Sequence, residues 1–177
     1  FLEIGNYFSC DPIEGIFKLI LADGTDFYNV LLRHIYASQT DLDQLLLNPN
    51  CSLGSDGVVS AKDGPLSNFT MNRSSYGYTI RFIKEYVFKR KMFSLEDAIR
   101  KMTSLPADSS GIFMRGRIEK NKAADLVILN LNELEDNSSD KKPNKYPSGI
   151  EMVAVNGKIV LKKGKRNNLL PGCHANN

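Results

Sequence analysis

Few side chains in this sequence have the type and setting for chemistry, and the best placed of them is Asp56. It stands in Leu53-Gly54-Ser55-Asp56-Gly57, directly after the apolar run Cys51–Leu53, which reads as a short strand. A carboxylate at the carboxyl end of a strand can accept a proton and hand it on. Ser, Asp and Gly also favour turns, and these letters taken alone favour a plain turn. The two histidines offer less: His34 lies in or beside an apolar run and reads as a core residue, and His174 falls in a terminal tail. Cys10, Cys51 and Cys173 are odd in number and far apart, so they read as reduced thiols rather than a zinc or disulfide framework.

The elements that must position Asp56 follow from periodicity. Residues 11–23 place Ile13, Ile16, Phe17 and Ile20 at helical spacing and close at Asp23-Gly24. Phe27 to Leu32 reads as a buried strand. Ser38 opens a helix over Thr40 to Leu47 that ends at Asn48-Pro49-Asn50. Helix, strand, helix, strand is the rhythm of a parallel α/β sheet or barrel. Residues 58–75 are aperiodic and rich in Ser and Asn, an active-loop candidate or a bland insertion. Tyr76 to Lys91 is helical again. Ser94 opens a further helix through Ser-Leu-Glu-Asp, with Leu95, Ala98, Ile99 and Met102 as the expected buried stripe. From Arg115 short β segments take over: Gly116-Arg117-Ile118, Asp125 to Leu131, and Glu151 to Val155 joined to Lys158 to Leu161 by the hairpin turn Asn156-Gly157. Residues 132–148 form a polar connection between them. A boundary near residue 112 is therefore expected.

Bulk properties exclude several classes. The chain has 177 residues, 42% hydrophobic and 24% charged, which suits a soluble globular protein. A net charge of +3 is too small for a nucleic-acid surface. No apolar run approaches the ~20 residues of a membrane helix, and no signal peptide opens the chain, so a cytoplasmic protein is expected. The sequons at Asn68, Asn72 and Asn137 carry no weight in that setting. The start at Phe1 reads as truncation.

Several phrases together resemble the amidohydrolase superfamily, and within it the D-aminoacylase, or N-acyl-D-amino-acid deacylase, group. They are Leu53-Gly54-Ser55-Asp56-Gly57, the run from Phe93 to Ala107, Arg115-Gly116-Arg117-Ile118, Ala124-Asp125-Leu126-Val127, Tyr146-Pro147-Ser148-Gly149-Ile150, Val155-Asn156-Gly157 and Pro171-Gly172. The resemblance implies a (β/α)₈ barrel holding one or two zinc ions, beside a small β-sandwich. Residues 1–112 would be the last barrel units with their helices, and residues 113–177 the C-terminal share of the sandwich. Asp56 would follow the eighth strand, at the rim where such barrels place their chemistry. There it would act as base first and acid second beside a zinc-activated water, with a contact to the metal as a further implied role.

Arg73 is the second implied site residue. The deacylase group often carries His-Pro-Arg before an aromatic-Gly pair, the arginine holding the substrate's carboxylate in a bidentate contact. Here the stretch is Asn72-Arg73-Ser74-Ser75-Tyr76-Gly77, displaced by one and lacking His and Pro; the bland alternative is a solvated loop arginine. Ser38-Gln39 stands where the family has Ser-Glu, and a helix cap is the simpler reading. The family's H-x-H pair has no counterpart. Zinc is thus expected in the full-length protein and not on this chain alone, which is expected to hydrolyse nothing without the rest of its barrel. The implied substrate is a small-molecule amide, with no nucleic acid and no membrane as partner. A cyclic-amide hydrolase of the dihydroorotase or hydantoinase kind is the alternative enzyme. A non-catalytic relative is the alternative from another class.

Overall fold

The computed structural model describes residues 1–24, 37–58, 61, 63–65, 67 and 72–174. The strand expected at Phe27 to Leu32, and His34, lie outside the described residues. Two compact units divide the chain: Phe1–Tyr36 with Ser60–Thr70, and Ala37–Val59 with Met71–Asn177. Among the described residues no helix is long and apolar enough to cross a membrane.

In the first unit α1 (Leu2–Phe8) turns back into α2 (Pro12–Asp23). Asp11 caps α2 by accepting from Ile13 N at 2.9 Å, with Pro12 at the first helical position, where its missing N–H is no loss. The expected helix over 11–23 is there.

The second unit holds α3 (Gln39–Leu47), α4 (Ser74–Phe82), a π-helical stretch (Ile83–Lys89), α5 (Leu95–Met102) and α6 (Ser104–Ser109). An antiparallel sheet follows, in the order β1 (Leu126–Leu129), β2 (Ile150–Val155), β3 (Lys158–Lys162) and β4 (Lys165–Arg166). Ser38 closes a capping box with Asp41 at the start of α3, and Ser94 Oγ accepts from Asp97 N at 3.1 Å at the start of α5. The Asn156-Gly157 turn has φ of 48° and 75°, both left-handed as a type I′ hairpin requires, and β2 and β3 pair across it.

The core is built by Leu46, Ile80, Phe82, Ile83, Val87, Ala98 and Leu134, with Leu53, Phe93, Leu129 and Ile150 packed against it. It therefore runs from the helices into the strands. Leu134 sits in the polar connection yet is 1% exposed. Gly149, at φ 79°, lies against it; a Cβ there would stand 2.5 Å from Leu134 Cα.

Four expectations are corrected. Cys51–Leu53 is not a strand: Leu53 N donates to Lys101 O at 3.0 Å, so its ladder donor goes to the end of a helix. Gly116-Arg117-Ile118 is irregular, with Ile118 89% exposed and Gly116 at φ 81°. The buried stripe of α5 contains Lys101 at 2% exposure, whereas Ile99 is 36% exposed. The helix expected over Tyr76 to Lys91 widens to π geometry, closed by Arg90 N donating to Glu85 O at 2.8 Å. Among the described residues the sheet is antiparallel and no parallel pair occurs.

Candidate active site

The segment 51–58 is irregular backbone fixed at two ends. At one end Leu53 is packed on the core and bonded to Lys101 O. At the other, Val58 N donates to Ser75 Oγ at 3.0 Å, which ties the segment to the first turn of α4. Between them Ser55 Oγ accepts from Gly57 N at 3.1 Å, the side-chain turn that Ser-x-Gly favours. Gly57 lies so close to α4 that a Cβ would meet Ser75 Cα at 3.0 Å and Ser74 O at 3.2 Å.

Asp56 occupies the crest of this turn at φ 47°. The left-handed region costs an L-residue roughly 1–2 kcal/mol, less for Asp than for branched residues. Its side chain is exposed, and among the described residues its carboxylate makes no hydrogen bond or ion pair. The result is a carboxylate held in place by backbone, with both oxygens open to accept a proton.

Arg73 lies at the same end of α4, as the residue before Ser74. Its Nη2 donates to Asp136 Oδ2 at 2.8 Å and to Ser138 O at 3.0 Å, and Nη1 lies 3.7 Å from Asp140. The Asp136 side chain is 7% exposed. Burial alone would raise its carboxyl pKa, but the Ser138 hydroxyl at 2.6 Å, the Ser138 amide at 2.9 Å and Arg73 outweigh it, so the carboxyl sits below the usual carboxylate range. Asp136 reaches α4 because residue 77 is glycine; a Cβ at Gly77 would fall on the Asp136 carboxylate. Arg73 thus braces the start of α4 against residues 136–140, and its buried Nε has no partner among the described residues.

The remaining candidates have local roles. Ser38 is the α3 cap, and Gln39 Nε2 donates to Asp43 Oδ1 at 2.8 Å and to Tyr86 Oη at 3.1 Å. Asp43 in turn pairs with Arg90, which lies 5.1 Å from the centre of the Tyr86 ring, so Gln39 belongs to a brace between α3 and the π-helical stretch. Among the described residues no three metal-ligating side chains converge. A zinc ion takes about four donors, so Asp56 alone does not fit that set. Sequence reasoning missed Asp136 and Lys101. Asp136 lies 63 residues from Arg73, and no periodicity links them.

The model of the amidohydrolase family matches residues 34–160. The chain is 28% identical over 160 residues to an N-acyl-D-glutamate deacylase of Alcaligenes xylosoxydans xylosoxydans, covering 90% of this chain and 30% of that protein. An N-acyl-D-aspartate deacylase of the same organism is 30% identical over 122 residues, covering 69% of this chain and 23% of the relative. Among solved structures, that of a D-aminoacylase superposes with a TM-score of 0.69 at 24% identity, covering 86% of this chain and 32% of that one. An N-acyl-D-glutamate deacylase from Bordetella bronchiseptica, complexed with zinc and a phosphonate inhibitor, gives 0.71 at 24% identity, covering 93% and 31%. The chain therefore spans less than a third of the length of each of these proteins, and shares the fold of the two solved structures over that span.

Proposed function

We propose, from the premise that the chain belongs to the amidohydrolase family, that it is the C-terminal part of a zinc-dependent hydrolase of N-acyl-D-amino acids, with Asp56 as its proton-transferring carboxylate. In this reading residues 1–112 contribute the last units of the barrel and residues 113–177 a share of the sandwich. The observation that carries it is the state of Asp56: a left-handed turn pinned at Leu53 and Val58 that presents a carboxylate without a partner among the described residues. A residue kept in a sparsely populated conformation by its surroundings, with its reactive group left open, suits a site better than a simple turn.

The reaction divides into two proton movements. Water adds through oxygen to the acyl carbon while one of its protons goes to Asp56. The carbon–nitrogen bond then breaks as Asp56 returns that proton to the amine nitrogen, leaving a carboxylic acid and a free amino acid. Zinc, bound in the full-length protein, would supply Lewis-acid activation, with Asp56 the one residue of this chain proposed to contact it. The relatives act on N-acyl-D-glutamate and N-acyl-D-aspartate, which supports an acidic acyl amino acid as substrate. Arg73 is the proposed contact for a substrate carboxylate, and to serve it must share a guanidinium already bonded to Asp136 and Ser138 O.

The test is Asp56→Asn in the full-length, zinc-loaded protein, assayed on N-acetyl-D-glutamate, N-acetyl-L-glutamate and dihydroorotate. The expected result is turnover of the D-substrate, with kcat lowered by about 10²–10⁴-fold in the variant and zinc content unchanged. A folded variant with wild-type kcat would sink the role of Asp56. Turnover of dihydroorotate in place of the acyl amino acids would move the protein to the cyclic-amide class.

A further inference from the structure

We infer that Lys101 is a positioning residue for Asp56, an assignment that rests on Asp56 being the proton-transferring group. Lys101 stands in the last turn of α5, where a basic residue ordinarily reaches into solvent. It is instead 2% exposed. Its Nζ donates to Asn48 O at 2.6 Å and to Cys51 O at 3.1 Å, and lies 5.5 Å from the centre of the Phe93 ring. Among the described residues no carboxylate pairs with it.

A lysine head group is costly to bury unless its donors are satisfied. Those donors meet the C-cap carbonyl of α3 and the first residue of the segment that leads to Asp56. The Lys101 carbonyl, on the backbone side, accepts from Leu53 N at 3.0 Å. One residue thus grips residues 48–53 at three points, with its head and its main chain. Asp56 follows three residues beyond Leu53, and Val58, bonded to Ser75, closes the far side. The carboxylate is suspended between an anchor on α5 and an anchor on α4, and the α5 anchor is a single residue, two of whose three bonds come from its side chain.

Removing the Nζ leaves two carbonyls without their donor and loosens the α5 end of the segment, which keeps only the Leu53 N bond to the Lys101 main chain and the packing of Leu53. A displacement of about 1 Å at a reacting group lowers turnover by about 10²-fold. The effect falls on kcat, because Lys101, at 2% exposure, has almost no surface with which to meet a substrate.

The experiment is Lys101→Met in the full-length, zinc-loaded protein, alone and combined with Asp56→Asn. Expected are a kcat about 10–100-fold lower, a KM within about twofold and an unchanged zinc content, with no further loss from Lys101→Met once Asp56 is replaced. Lys101→Gln, which keeps a donating nitrogen without the charge, serves if the methionine variant does not fold. A folded variant of either kind with wild-type kcat overturns the assignment. An equal extra loss in the Asp56→Asn background also overturns it, and so does failure of both variants to fold, which would make Lys101 a stability residue alone. Wild-type kcat in Asp56→Asn by itself defeats the underlying reading of Asp56, whatever the lysine variants do.

Discussion

Asp56 and Asn156 share nearly the same left-handed backbone, at φ 47° and 48°, each followed by glycine, yet they are held there by different means. Asn156 is set by its neighbours in sequence: β2 and β3 pair on either side, and the hairpin twist requires a left-handed turn. Its surroundings then add to a conformation already favoured. Asn156 N donates to Asp125 Oδ1 at 2.8 Å, its Nδ2 to Pro171 O at 2.7 Å, and Gly157 N to Ala124 O at 2.9 Å. No strand pairing among the described residues asks for the turn at Asp56. Beyond the local bond from Gly57 N to Ser55 Oγ, it is kept by contacts to Ser75 and Lys101, both distant in sequence. Equal dihedrals therefore carry different meaning: at Asn156 the strain serves the chain's own pairing, and at Asp56 it presents a side chain.

That contrast breaks if the two residues respond alike. The largest expected effect is the kcat loss of about 10²–10⁴-fold for Asp56→Asn, with thermal stability within about 0.5 kcal/mol of wild type. Gly149→Ala should follow as the strongest effect on folding. Its φ of 79° and the approach of Leu134 Cα to 2.5 Å from the added Cβ put its cost at about 3 kcal/mol or more by chemical denaturation.

Asp136→Asn should cost about 2 kcal/mol at neutral pH by breaking the brace to Arg73. Its sign with pH follows from the depressed folded-state pKa. The carboxylate's contribution is fully present above the unfolded value of about 3.9 and is lost as pH falls through the folded value. Wild type and variant should thus converge in stability in acid. Arg73→Gln separates the two roles of that arginine, since a raised KM at unchanged kcat reports a substrate contact and a stability loss alone reports the brace. Asn156→Ala is the smallest, about 1 kcal/mol of stability with kcat unchanged. A loss of turnover there would erase the distinction between the two turns.

Legibility in the sequence follows the same division. The caps at Ser38 and Ser94 and the Asn156-Gly157 hairpin were readable because each is decided within a few residues. Cys51–Leu53 misled because an apolar triplet has the composition of a strand, while its donor goes to Lys101, 48 to 50 positions on. Lys101 was missed because a long apolar stem can be buried whenever its tip finds carbonyls, and sequence shows the stem without the carbonyls. Leu134 looked like one apolar residue in a polar connection, and only the fold shows that it closes the core. For the candidate site, the turn chemistry of Ser55, Asp56 and Gly57 was visible, and the two anchors that give it purpose were not.

The π-helical stretch from Ile83 to Lys89 sets a phase between the parts of the chain on either side of it. An α-helix turns about 100° per residue, and a π turn takes up one residue more than an α turn. Shortening the stretch by a single residue would restore α spacing while swinging everything after it round the helix axis. Arg90 would then face away from Asp43, and the chain would enter Phe93 and α5 on a different side of the core. The register of Lys101 against residues 48–53 is in this sense counted out one residue at a time, from the helix before it.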